Sequence, residues 1–435
     1  MTATPARDGS RGGRPLRVAT VITRLEGGAG AHALRGARTL DPRGYQVTVI
    51  TGSGGRLVDE AAAAGLEVLT EPSLRAPIAL RDDLKALGRL DSLLRDRHFD
   101  VVHTHCAKAG AVGRLAARRA GVPRIVHTYH GFPFHEFQSA VRQRAYIAIE
   151  RRLGRFTDLA LCVGGGVAVE AVRRRLLEPQ RIRTIGVVVP EADRPASCLP
   201  QAAPGGRAEE SPAARARRRA RLTLGLPPGA VVIGAVGRLT YQKAPEDFLA
   251  ALRALARPGV VGVWIGGGEL AGRVAALAAG GPGPRVMLAG ERADVPELLP
   301  AFDIFALPSR YEGLPTAVVE AMACGIPVVA TAVNAVGDVV VPGETGLLVP
   351  PGRPDLMATA LAYLLDSPAD AARMAANAHA TVSVRYHEAA LQQALVSAYA
   401  PCGSQPVTFP VSARSPGRTS TPWLPMGRDF LRWIH

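Results

Sequence analysis

Aromatic residues make up only 5% of this 435-residue chain, and lysine occurs at positions 85, 108 and 243 alone. A nucleic-acid surface built from interleaved basic and aromatic side chains is therefore not expected, even though the net charge is +15. No run of about 18 uncharged apolar residues occurs, which argues against a transmembrane helix. The opening MTATPARDGSRGGRPLR has charge but lacks the apolar centre of a signal peptide. Cys106, Cys162, Cys198, Cys324 and Cys402 are scattered without metal-ligand spacing. That usage fits a reduced, cytoplasmic compartment. There is no Asp-x-Asp pair and no His/Cys cluster, so neither a metal nor another cofactor is expected.

What is present reads as globular: 47% hydrophobic and 20% charged residues, in a chain long enough for two or three domains. The positive charge leaves three readings open. It can serve a phosphorylated substrate, it can serve an anionic membrane surface, or arginine is simply the default basic residue.

Short apolar runs alternate with helical patterns throughout. Strands are expected at 16–22, 46–51, 67–69, 100–105, 124–128, 159–163 and 183–189. Residues 137–156 read as a helix with Val141, Ile149, Leu153 and Phe156 as an apolar side among five arginines. A solvated face and a membrane-surface helix are both compatible with that pattern. The segment 191–228 is rich in proline, alanine and arginine and reads as a linker. The alternation then restarts, with strands expected at 230–237, 260–268, 286–289, 304–307, 328–331, 338–341 and 347–350. Residues 1–15 read as a flexible arm and 401–435 as a poorly ordered tail. The expected fold is α/β, two Rossmann-like, doubly wound domains (16–190 and 229–386) facing across a cleft.

One stretch organises the chemistry, 304-IFALPSRYEGLPTAVVEAMACGIPVVAT-331. It reads as strand, loop, short helix and strand. Glu312 falls in the loop and Glu320 in the helix, both at the carboxyl edge of a parallel sheet, where such sheets bind ligands. Glu320 can hold a vicinal diol such as a ribose, or it can merely complement the helix dipole. Glu312 can hold sugar hydroxyls or balance developing positive charge, and with His130 it is a candidate catalytic residue. The amides around Gly313, Leu314, Pro315 and Thr316 enter a helix N-terminus, which suits phosphate. Upstream, Arg238 and Lys243 are two cations at one helix entrance and suggest a diphosphate. The loops IGGGEL, with Gly267, and LAGERADV, with Arg292, follow strands and suit a flat base. In the first half, Gly28 can admit a phosphate, and His130 lies just past a strand end.

Gly28-x-Gly30-x-x-Ala33 formally matches a dinucleotide fingerprint. However, it starts several residues after the first strand, and the second strand ends Ile50-Thr51-Gly52 without an acid for a ribose. A nicotinamide-dependent dehydrogenase is not expected.

Taken together, GRLTYQKAPEDFLAAL, WIGGGEL, PSRYEGLPTAVVEAMACGIPVVAT and PGETGLLVPPG resemble the retaining glycosyltransferase family 4, of GT-B fold. In the first half, GGAGAH and the stretch 101–134 fit the same pattern. The resemblance implies a donor domain in the second half and an acceptor side in the first. It implies metal-independent transfer from a nucleotide sugar, expected to be uridine-linked, to a glycan or lipid-linked acceptor. Arg238 and Lys243 would hold the diphosphate, Glu320 the ribose and Glu312 the sugar. Gly28 would meet phosphate, His130 would sit beside the transferred sugar, and a helix at 387–400 would cross back to the first domain. Two departures stand out: Asn334-Ala335 where many members have Gly-Gly, and Ala244 where glycine is common. The rival readings are a nucleotide-sugar epimerase or hydrolase on the same plan, and a membrane-surface binding protein without catalysis.

Overall fold

Strands β1 (Leu16–Ile22), β2 (Tyr45–Thr51), β3 (Glu67–Thr70), β4 (Val101–His105), β5 (Arg124–Tyr129), β6 (Leu159–Cys162) and β7 (Ile182–Thr184) pair in the order 3-2-1-4-5-6-7, all parallel. The computed structural model describes residues 14–75, 79–135, 137–189, 211–280 and 283–400. The connections are helices α1 (Gly27–Arg38), α2 (Arg56–Ala63), α3 (Leu80–Asp96), α4 (Ala107–Ala120), α5 (Ala140–Gly154) and α6 (Gly165–Arg173). The central strands β4 and β5 are buried along almost their whole length instead of alternating, as expected of a parallel sheet covered on both faces.

After α7 (Pro212–Thr223) a second sheet repeats the plan. Strands β8 (Val231–Val236), β9 (Val260–Ile265), β10 (Arg285–Leu288), β11 (Ile304–Leu307), β12 (Val328–Thr331) and β13 (Leu347–Val349) run in the order 10-9-8-11-12-13, again parallel. Its helices are α8 (Pro245–Leu255), α9 (Ala271–Ala279), α10 (Val295–Leu298), α11 (Thr316–Ala323), α12 (Pro354–Asp366) and α13 (Pro368–Arg385). The last helix among the described residues, α14 (Glu388–Tyr399), returns to the first sheet. Its Leu391, Leu395 and Tyr399 join a core with Leu34, Val49, Val101 and Val126, and Arg124 Nε donates to the carbonyl of Ala398 at 3.0 Å.

Four local expectations are corrected. The apolar run at 338–341 is not a strand. Residues 334–338 form a 3-10 turn, and Val339 and Val340 plug the core behind it. A short β-branched run buried on all sides carries no period that tells strand from turn. Part of the supposed linker is helix α7. Ser211 caps it by accepting from Ala214 N at 3.2 Å, and Pro212 opens it. Ala220 is buried, and Arg221 donates to Asp303 at 2.7 Å, with Arg217 bound to the same carboxylate. Arg14, in the supposed arm, is paired with Asp100 at 2.8 Å. Finally, α5 buries Ile147 and Leu153 but leaves Val141 (78%) and Ile149 (50%) exposed, so its apolar residues do not form one side. The expectations for 1–13, 191–210 and 401–435 lie outside the described residues.

Candidate active site

In each sheet the winding reverses at one point, between β1 and β4 and between β8 and β11. The crevice at the carboxyl ends of those strands is the general ligand site of such folds. Every strand runs the same way, so one edge of each sheet collects all the loops named above.

On the second sheet, β8 is followed by Gly237 and the exposed Arg238. Lys243 precedes α8, and its ammonium donates to Glu312 Oε1 at 2.5 Å. Ser309 Oγ donates to the same oxygen at 2.6 Å, and Gln242 Nε2 donates to Oε2 at 3.3 Å and to the Tyr311 carbonyl at 3.0 Å. Glu312 is only 7% exposed. A carboxylate that deep is tolerated only with donors on its oxygens, and three side chains provide them. The sequence assigned Lys243 and Glu312 to different parts of a donor. The tertiary structure makes them partners.

Ala244, next to Lys243, caps α8 in the left-handed region, at φ +49°. A Cβ there costs about 1–2 kcal/mol in backbone strain, partly offset because glycine loses more entropy on folding. Ala244→Gly should therefore raise stability by about 0.5–1 kcal/mol, read as a higher denaturation midpoint. A lower midpoint would show that the strain is absent. Asn334, the other departure, also has positive φ, +42°. Asparagine tolerates that region better than most residues.

Helix α11 has no acid in its first turn. Glu320 is its fifth residue and half-buried. The dipole effect falls off within the first turn, so dipole complementation does not account for Glu320. The uncompensated N-terminus at Thr316 remains open to an anion.

The first sheet brings its own residues to this place. The glycine segment after β1 is the first turn of α1 and not a loop, and Gly28 lies exposed in it. A Cβ on Gly28 would stand 3.0 Å from Thr316 Oγ1 across the cleft. His130 follows β5, and a Cβ on Gly313 would stand 1.9 Å from its carbonyl oxygen. Hence Gly28 and His130 of the first sheet meet Thr316 and Gly313 of the second. The rim closes with His135 stacked on Tyr311 (4.1 Å between centroids) and Phe137 edge-on to Tyr241 (6.1 Å). Farther along, Gly166 N donates to Asp338 Oδ2 at 3.2 Å. Leu314 is buried in the core between the loop and α11, and Pro315 leads into the helix.

Gly267 lies against the loop that carries Arg238, and Arg292 makes its contact with Asp294. The Gly267 carbonyl accepts from Leu239 N at 2.7 Å, and Arg292 grips Asp294 through Nε at 2.7 Å and a terminal nitrogen at 2.6 Å. That fork holds the Asp294 carboxyl below its ordinary range.

The sequence reading missed Ser309, Gln242 and His105. Gln242 adjoins Lys243, and Ser309 lies three residues before Glu312, so proximity was the only signal for either. His103 and His105 alternate on β4, a spacing of two that places both rings on one face. Their rings lie 4.2 Å apart. Among the described residues no group of three His, Cys, Asp or Glu is gathered to hold a metal ion, and no helix is long and apolar enough to cross a membrane.

Residues 230–367 match the family model described as Glycosyl transferases group 1, and residues 26–190 match Glycosyltransferase Family 4. The chain is 32% identical over 269 residues to the UDP-Gal:alpha-D-GlcNAc-diphosphoundecaprenol alpha-1,3-galactosyltransferase of Escherichia coli, covering 60% of this chain and 65% of that one. It is 31% identical over 410 residues to the D-inositol 3-phosphate glycosyltransferase of Rhodococcus opacus (strain B4), covering 84% and 86%. Anabaena HepE, solved in complex with UDP and glucose, superposes with a TM-score of 0.72 at 21% identity, over 87% of this chain and 98% of that one. The last likeness supports the GT-B fold.

Proposed function

Because this chain belongs to the family 4, group 1 glycosyltransferases, we propose that it moves a sugar from a uridine diphosphate donor to a lipid-linked or other glycan acceptor, with retention and without a metal. The observation that carries this reading is the meeting of Gly28 with Thr316 and of His130 with Gly313, at the loop whose Glu312 is paired with Lys243. Arg238, Lys243 and the N-terminus of α11 supply positive charge for a diphosphate leaving group. Glu320 holds the ribose, Glu312 orients the donor sugar, and His130 lies beside it. Gly267 and Arg292 flank the base. A uridine donor and a lipid-linked acceptor are in keeping with the Escherichia coli relative's name, and uridine also with UDP bound to Anabaena HepE. Retention follows the family resemblance.

The named relatives are transferases, which leaves the epimerase or hydrolase reading without support. Peripheral contact with an anionic membrane is part of the proposal. It is supported by Val141 and Ile149 standing exposed on α5 beside Arg142, Arg144, Arg151 and Arg152.

The test is a thermal-shift screen with UDP and UDP-sugars, followed by transfer assays. A bound donor at 100 times its Kd should stabilise by about 2.7 kcal/mol. Lys243→Ala and Glu320→Ala should each lower kcat/KM by about 100-fold, or about 2.7 kcal/mol. Full activity in both variants would remove the site assignment.

A further inference from the structure

Five histidines crowd the carboxyl edge of the first sheet: His32 on α1, His103 and His105 on β4, His127 on β5 and His130 just beyond it. The first four are buried. Their contacts form an ordered set. His105 Nδ1 and His130 Nε2 share a hydrogen bond of 2.9 Å. His103 packs against His105 with the rings tilted and is itself held at both nitrogens, Nδ1 by the Tyr399 hydroxyl and Nε2 by Thr128 Oγ1, each at 2.7 Å. Tyr399 belongs to α14, the helix that returns from the second sheet. His32 meets the His130 ring edge-on at 5.3 Å.

Burial, reinforced by the neighbouring charges, holds all five well below the ordinary histidine range. Each is a neutral imidazole near pH 7, so one ring nitrogen carries a proton and the other is an acceptor. In a bond between two such rings, one nitrogen donates and the other accepts. Engaging Nε2 therefore couples the His130 tautomer to that of His105: when His105 Nδ1–H donates, His130 carries its proton on Nδ1, and when His130 Nε2–H donates, its Nδ1 is an acceptor. The bond also fixes the ring plane and leaves Nδ1 as the nitrogen available to a substrate hydroxyl.

We propose that His105 is a positioning residue for His130: through its Nδ1 it selects one tautomer and one orientation of the His130 ring, and His103 and Tyr399 brace it from behind. The inference rests on the proposed role of His130 beside the transferred sugar. It adds a residue that touches no substrate but decides which face of the His130 ring the sugar meets.

His105→Phe keeps a ring to pack against His103 and removes the hydrogen bond. His105→Asn offers an amide near the former Nδ1 and can restore it. Two measurements are made on the full-length protein. In the first, histidine-labelled samples report ring tautomers through nitrogen chemical shifts, without turnover. The parent should show a single His130 tautomer, His105→Phe a mixture, and His105→Asn a single form again. In the second, transfer kinetics should show kcat reduced about tenfold in His105→Phe with the donor KM within twofold, and recovery to within threefold in His105→Asn. A single unchanged His130 tautomer in His105→Phe overturns the proposal, as does an equal loss of kcat in both variants. If the parent transfers no sugar from any UDP-sugar, the proposed function fails, whereas the tautomer result still decides whether His105 positions His130.

Discussion

Gly313→Ala should lower kcat/KM for sugar transfer by at least about 100-fold, near 2.7 kcal/mol, while the unfolding midpoint moves little. The added Cβ would stand 1.9 Å from the His130 carbonyl oxygen and 2.7 Å from its carbonyl carbon. Both are backbone atoms on a loop leaving a central strand, so they cannot step aside as a side-chain tip would. The two domains would have to part by more than an ångström at the point where their residues meet. A misplacement of about 1 Å of groups that must act together can cost about 100-fold in rate. Stability is spared because Gly313 lies at the domain contact and not in either sheet. Steady-state kinetics beside a thermal melt separate the two effects. A variant retaining more than about a third of parental kcat/KM would mean that catalysis does not need this contact.

The largest loss of stability is expected from Glu150→Ala. Arg114 on α4 is fully buried, and its guanidinium donates to Glu150 Oε2 at 2.8 Å. Tyr129 on β5 donates its hydroxyl to the same oxygen at 2.9 Å. Burial and the adjacent carboxylate push the Tyr129 phenol up, so it remains a donor. Two helices and a strand are thus joined at one carboxylate. Removing Glu150 leaves a guanidinium in a site with no solvent and no counter-charge, a situation that costs about 3–5 kcal/mol. Glu150→Gln, which keeps an acceptor oxygen, should lose less. Pairing Glu150→Ala with Arg114→Met should recover part of the loss, because the stranded charge is then gone. Urea denaturation followed by a first-domain probe is the appropriate measurement, since a two-domain chain need not unfold in one step. If Glu150→Ala and the double variant are equally unstable, packing and not charge holds this corner.

Much of this was legible along the chain. Short β-branched runs such as Leu16–Ile22 and Val231–Val236, each followed by a glycine-bearing turn and a helix, leave little choice but parallel sheets with crossovers. The cations Arg238 and Lys243 and the carboxylates Glu312 and Glu320 stood out as residue types at strand ends. The failures have a common character. Val339 and Val340 looked like a strand because β-branched residues favour one, but tertiary burial settled the matter in favour of a turn. Helix α7 looked like a linker because it is built of proline, alanine and arginine with little apolar pattern. It docks through Ala220 and through arginines that find Asp303, more than 80 residues away.

The sequence by itself determined the two sheets and which residue types line their carboxyl edges, because strand and turn preferences act over a few neighbouring residues. Only the tertiary structure decided that Lys243 and Glu312 bind each other, that the Gly313 backbone rests on His130, and that Tyr399 reaches His103 from the far end of the chain. Such pairings are set by how two finished sheets and a returning helix close on one another. Burial then enforces them, because a carboxylate, an ammonium or an imidazole taken from water must find its partner wherever the fold has put it.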